Sequence, residues 1–355
     1  MEAVGHVDPA FADVVDAFVE GFAARGELGA GLAIVVDGRA VVDVVGGTAA
    51  AGSPWTAATI VNAYSVVKPL AAACVLLLVE RGRVGLDDRV VRWWPEFAAA
   101  GKEDVTVRHV LAHQAGLDLF ERPPALATLL EWDAMVALLE AAAPAWAPGT
   151  AHAEHVVTYG HLVGEIVRRV DGRSLGAFLR DELAGPWGLD FHVGLSPKLQ
   201  RRAAAIADPS GTFVAPLARP PEIVDPVVVN GAAWRAAEIP AVNGHGTALA
   251  LARFYAALAA GGTLDGVRLL SRELVAGATR PQLVATDRVL GRSVAWCLGL
   301  QADTEDGGFG MGGLGGNRGW WDAQGYAVGY VTRRLGDHAR IEAIEAVLRD
   351  VLARR

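Results

Sequence analysis

NAYSVVKPLAAACVLLLVERG (residues 62–82) sets one serine, Ser65, three residues ahead of one lysine, Lys68, at the head of a long apolar run. On a helix, positions three apart share a face, so the lysine amine can reach the serine hydroxyl. The segment from Ala71 to Val79 is apolar nearly all round, which predicts a helix buried on every side and a partly desolvated lysine. Burial favours the neutral, basic form of that amine. A serine in the first turn also lies at the positive end of the helix dipole, where its own N–H can help hold an oxyanion. A bare Ser-x-x-Lys is short, and a serine there is often an ordinary N-cap, so the surrounding text has to carry the reading.

Working outward, residues 9–25 carry apolar residues at helical spacing. GLAIVVDG and AVVDVVGG follow, split by an Asp-Gly turn, and predict a hairpin. From about Ser65 to Leu258 helices and Pro/Gly-rich loops dominate. Strand-like runs return in SVAWCLGLQ, RGWWDA and YAVGYVTRR, and HARIEAIEAVLRDVLARR closes the chain as a helix. Strands from the two ends are expected to share one antiparallel sheet covered by the terminal helices.

The whole chain has 355 residues, 52% hydrophobic content and 42 glycines, enough for a large core. A formal net charge of −8 and the lack of any run of five basic residues exclude a nucleic-acid surface. The run Pro69–Val79 is too short to span a bilayer, so no membrane partner is expected. The opening MEAVGHVDPAF has neither a cationic nor an apolar leader region, which predicts a cytoplasmic location. Cys74 and Cys297 have no metal-ligand spacing and read as buried thiols.

GSPWTAATIVNAYSVVKPL, LLVERGRVGLDDRVVRWWPEF, VTVRHVLAHQAGL, PAWAPGT, YGHLVGEIVRRVDG and LARFYAALAAGG together resemble the serine β-lactamase and penicillin-binding-protein superfamily. The likeness is to its branch of class C β-lactamases and related esterases, and it covers nearly the whole chain. It implies an α/β (α+β), β-lactamase-like fold with a cleft between two parts. Residues 1–62 and 262–355 would form the mixed domain with the antiparallel sheet, and 63–261 an all-α domain. It also implies Ser65 as nucleophile, Lys68 as its helper, and the N–H groups of Ser65 and Leu314 as oxyanion donors. No cofactor and no metal are implied, and the partner expected is a small-molecule substrate.

Two motif positions depart from the family's pattern. Aligning PGTAHAEHVVTYGHLVGE (148–165) puts Glu154 where the family has a tyrosine, and Tyr159, five residues on, faces elsewhere and reads as packing. In GFGMGGLGGNRGWWD (308–322), Met311 stands where a Lys or His belongs, followed by Gly312 and Gly313. Tyr64, His155, Met311, Gly312, Gly313 and Trp320 are expected around the pocket, with Trp321 a further candidate and His113 structural. A carboxylate at 154 is expected to hold Lys68 protonated, yet it can also take a proton itself, from Ser65, from water or from an incoming nucleophile. Loss of the cation at Met311 points away from carboxylate-bearing substrates toward neutral or apolar ones.

Three readings follow. The first is an acyl-enzyme catalyst, an esterase, amidase or acyltransferase acting on a small, possibly biosynthetic ester, thioester or amide. The second is a non-acylating cyclase, lyase or isomerase that moves protons with Glu154 and Lys68. The third is a catalytically silent homologue. His152, Glu154, His155 and His161 have neither HExxH nor HxxEH spacing, so no metal site is read there.

Overall fold

A computed structural model describes residues 2–355. The predicted hairpin forms: β2 (Gly29–Val36) and β3 (Arg39–Ala50) are joined at Asp37 and Gly38, whose φ angles of 49° and 74° are those a tight two-residue hairpin turn requires. β1 (Val4–Val7) adds outside β3. The C-terminal part contributes β4 (Leu283–Thr286), β5 (Ser293–Trp296), β6 (Gln301–Ala302), β7 (Gly308–Gly313), β8 (Asn317–Asp322) and β9 (Tyr326–Thr332). β9 pairs with β2 over its whole length, so the two ends of the chain do share one antiparallel sheet, in the order β1-β3-β2-β9-β8-β7-β6-β5-β4.

Helices α1 (Ala12–Ala24) and α5 (Ala339–Ala353) pack together on one face of that sheet over a core of Phe11, Phe18, Leu32, Ile34, Tyr330, Ile344 and Leu348. The other face carries α4 (Ala248–Ala259), which packs against β9, β2 and β8. α4 is capped by the Thr247 hydroxyl, which accepts from Ala250 N–H. α2 (Lys68–Glu80) is buried around its full circumference from Lys68 to Leu78, as the apolar run predicted. It packs against α3 (Tyr159–Asp171). A small three-stranded sheet joins Val61–Asn62 to His245–Gly246 and Phe191–His192, the last two within the region read as helices and loops. Its strands are two residues long, too short to leave a periodic signal.

Cys74 and Cys297 are buried free thiols. Among the described residues no helix is long and apolar enough to cross a membrane.

α3 begins against the segment carrying Pro240 and Ala241. A Cβ at Gly160 would lie 2.5–2.6 Å from their backbone atoms, so only glycine permits this approach. Gly160→Ala is expected to force the helix and that segment apart and destabilise the fold by roughly 1–3 kcal/mol. A lower urea midpoint at unchanged m-value would report it.

Candidate active site

Tyr64–Val67 forms a 3₁₀ turn that runs straight into α2 at Lys68, with Pro69 in the helix's first turn, where a missing N–H is harmless. Residues i and i+3 eclipse one another in a 3₁₀ turn. The Ser65–Lys68 spacing therefore becomes contact: Lys68 Nζ donates to Ser65 Oγ at 2.8 Å. Ser65 is not an N-cap. The turn is entered through Tyr64 in a left-handed conformation, φ 51°, a strained geometry that aims the serine out of the core.

Lys68 is completely buried and its three N–H donors each find an acceptor. Besides Ser65 Oγ they are Glu154 Oε1 at 3.1 Å and the carbonyl of Ala241 at 3.1 Å. Burial lowers the amine's pKa below its ordinary value, and the Glu154 carboxylate opposes that shift through charge and hydrogen bond without overcoming it. Glu154 thus raises the amine's pKa as expected, but the net shift is downward because desolvation is the larger effect. Lys68 also stands between the other two groups. Ser65 and Glu154 make no direct hydrogen bond, so direct proton transfer from Ser65 to Glu154, one of the routes anticipated, has no path here.

These residues open on a cavity of about 740 Å³ lined by Ser65, Glu154, Val156, Met311, Gly312, Gly313, Leu314 and Trp320, among others. Gly313 is where β7 meets the serine turn. A Cβ there would lie 2.5 Å from the Ala63 carbonyl oxygen and 3.0 Å from Val66. Met311 and Gly313 point to one face of β7 and Gly312 to the other, so the cavity wraps round the end of that strand. Met311 packs against Val294 and Trp296 and brings no charge.

Two expected pocket residues lie elsewhere. The Tyr64 ring is fully buried and off the cavity, because its left-handed backbone turns the side chain into the core. His155 is also fully buried. Its Nε2 accepts from Leu117 N–H at 3.1 Å, which leaves the ring proton on Nδ1, donating to the Ala153 carbonyl at 2.8 Å. Trp321 packs on Phe309 at 5.2 Å between ring centroids, leaving Trp320 as the tryptophan on the cavity. Tyr159 is a packing residue as read, its hydroxyl donating to the Leu111 carbonyl. His152 bonds the Ala285 carbonyl and His161 stacks on Trp132, so the histidines near Glu154 point apart.

His113, read as structural, is the clamp that holds the Glu154 segment. Its carbonyl accepts from Ala153 N–H at 3.2 Å and its Nδ1 from His155 N–H at 3.0 Å, bracketing residue 154. The ring lies between Tyr159 and Trp296, at 4.5 Å and 4.0 Å, and its backbone is left-handed, φ 59°. Burial holds its pKa well below the usual histidine range, so it serves as a neutral acceptor.

The sequence reading missed two features. The Ala241 carbonyl leaves no residue-type signature. Arg318, which lines the cavity with Arg292, Asp303 and Glu305, did leave one: it is two residues from Trp320 on the same strand and so shares its face. The cavity lining thus carries charged side chains as well as the uncharged Met311.

The description "Beta-lactamase" belongs to the family model that matches residues 11–352. The chain is 36% identical to "Esterase/beta-lactamase LipL" of Mycobacterium tuberculosis, over 98% of this chain and 88% of that protein. A solved family VIII carboxylesterase superposes with a TM-score of 0.90 at 35% identity, covering 98% of this chain and 100% of that one. A penicillin-binding-protein homologue from Caulobacter crescentus gives 0.88 at 37% identity, over 98% and 100%. The chain belongs to the Beta-lactamase family and is an enzyme of that superfamily of serine hydrolases.

His113→Ala would strand the buried His155 N–H without an acceptor. A loss of roughly 1–3 kcal/mol in unfolding free energy is expected, read by chemical denaturation.

Proposed function

We propose that this enzyme cleaves small-molecule esters, or transfers their acyl groups, through an acyl-Ser65 intermediate, with Lys68 and Glu154 acting together as the proton-handling pair. The observation that carries the reading is the buried chain Ser65 Oγ, Lys68 Nζ, Glu154 Oε1 at the wall of the cavity. A carboxylate replaces the family's phenol, and it can hold the proton that Lys68 releases, leaving a neutral amine facing Ser65.

Ser65 Oγ attacks the acyl carbon while its proton passes to Lys68. The oxyanion forms against the N–H groups of Ser65 and Leu314. The Ser65 N–H lies in the first turn of its helix, where amides have no intrahelical acceptor, and Leu314 follows the strand end that Gly313 brings against that turn. Collapse expels the alcohol, which leaves with the proton held by the Lys68–Glu154 pair. Water, or a second alcohol or amine, then gives up a proton to the same pair as it attacks the acyl carbon, and the proton returns to Ser65 Oγ when the bond breaks.

A second reading has its own observation: Glu154 itself lines the cavity, within reach of a substrate that need never acylate Ser65. Proton transfer by Glu154 and Lys68 in an elimination, cyclisation or isomerisation would use that access.

Intact-protein mass spectrometry after exposure to a fluorophosphonate or 4-nitrophenyl esters separates the two. The first reading expects an adduct on the native chain that is absent from Ser65→Ala. An unmodified native chain would overturn it in favour of the second. The pH profile is a further test. Because Lys68 titrates below the ordinary 10.5, kcat/KM is expected to rise with pH along a limb centred below that value. Glu154 raises the Lys68 pKa, so Glu154→Gln is expected to move the limb to still lower pH. The same substitution is expected to lower kcat by about 10²-fold or more.

A further inference from the structure

Beyond Gly313, β7 runs into the turn Leu314–Gly316, whose first residue carries the N–H assigned above to the oxyanion. The carbonyls of its first two residues are both held by buried side chains. Arg340, in the first turn of α5, donates through Nη2 to the Gly315 carbonyl at 2.7 Å and to the Arg334 carbonyl at 3.1 Å. Asn317, at the head of β8, donates through Nδ2 to the Leu314 carbonyl at 3.0 Å. Gly316 has a left-handed backbone, φ 96°, and a Cβ on it would lie 2.4 Å from the Asp337 carbonyl oxygen and 2.8 Å from Arg340 Nη2. Only glycine admits the guanidinium there.

The two clamps share one anchor. Arg340 Nη1 pairs with Glu27 Oε2 at 2.9 Å, both side chains being shut away from solvent. The Glu27 carboxylate also accepts from the Tyr330 hydroxyl at 2.7 Å, the Thr332 hydroxyl at 2.8 Å and the N–H groups of Leu28 and Gly29 at 2.7 and 3.1 Å. Thr332 closes the link, because its N–H donates to Asn317 Oδ1 at 3.1 Å while Asn317 Nδ2 serves Leu314. A buried ion pair contributes little net stability over apolar packing of the same volume. What this one supplies is position: the planar fork of a single guanidinium spans Glu27 and Gly315 at once.

The Leu314 N–H belongs to the peptide between Gly313 and Leu314. On one side of it, Gly313 is paired with Asn317 in the sheet and lies against the Ser65 turn. On the other side, the next two peptides are fixed by their carbonyls. From this arrangement we infer that Arg340 and Asn317 are positioning residues for the oxyanion hole, aiming the Leu314 N–H by holding the turn behind it, with Glu27 fixing Arg340. Neither Arg340 nor Asn317 lines the cavity, so each acts through the turn. A donor aimed in advance at developing charge needs no reorganisation as the oxyanion forms. The inference rests on the proposed acyl-Ser65 reaction and its use of the Leu314 N–H.

The test uses two variants of the full chain. Arg340→Lys keeps a cation for Glu27 and loses the second arm of the fork, and Asn317→Ala leaves the Glu27–Arg340 pair intact. Active sites are counted by fluorophosphonate labelling taken to completion, so that any loss of folded protein is divided out. Removing an oxyanion donor costs about 10²–10³ in rate; here the donor is misaimed, not removed, and kcat/KM for 4-nitrophenyl acetate per titrated site is expected to fall about 10-fold in each variant. The affinity for phenylboronic acid, whose tetrahedral adduct with Ser65 places an anionic oxygen in the hole, is expected to fall by a similar factor. The pH limb set by Lys68 is expected to stay where it is in the native enzyme. Native kcat/KM and boronate affinity per titrated site in both variants would overturn the inference, as would a fall in kcat/KM with boronate affinity unchanged. Should Arg340→Lys fail to fold, Asn317→Ala decides alone. A native chain that neither takes the fluorophosphonate nor hydrolyses the ester overturns the acyl-Ser65 reading, and this inference with it.

Discussion

The rest of the site depends on the placement of one buried amine. An ammonium has three donors, and taking it out of water is tolerable only if each finds an acceptor. Lys68 has three: a hydroxyl three residues ahead, a carboxylate 86 residues on, and a backbone carbonyl 173 residues on. The turn carrying Ser65, the segment carrying Glu154 and the segment carrying Ala241 are thereby tied to one atom. The interaction is also poised, because burial favours the neutral amine and Glu154 favours the charged one.

The scaffold makes this placement possible through close approaches. α3 comes against the Pro240–Ala241 backbone over Gly160, and β7 comes against the Ser65 turn over Gly313. His113 grips the chain on both sides of Glu154 through neutral hydrogen bonds, so the carboxylate is aimed without adding another charge to the core. The site is thus a junction of three backbones, each held by a contact that a larger or charged residue would spoil.

The departures from the family's tyrosine and cation do not leave the site empty. A carboxylate at 154 takes the phenol's place beside Lys68. A methionine at 311 fills the wall without charge, while Arg318, one strand over, lies on the opposite face of the sheet.

Much was legible in the residues alone. The i to i+3 spacing of Ser65 and Lys68, the all-round apolar helix behind them, the Asp37–Gly38 hairpin and the period-two strands near the C-terminus follow from local geometry, which neighbours in sequence determine. The position of Glu154 opposite Lys68 came from motif alignment, and the trio Met311, Gly312 and Gly313 from the same source. Other features were decided by packing. A left-handed backbone at Tyr64 buried its ring, and hydrogen bonds to Leu117 and Ala153 drew His155 into the core. The Ala241 carbonyl became the third acceptor, and desolvation outweighed the Glu154 charge at Lys68. These outcomes depend on which distant segments meet and how much water they exclude, and tertiary structure alone sets both.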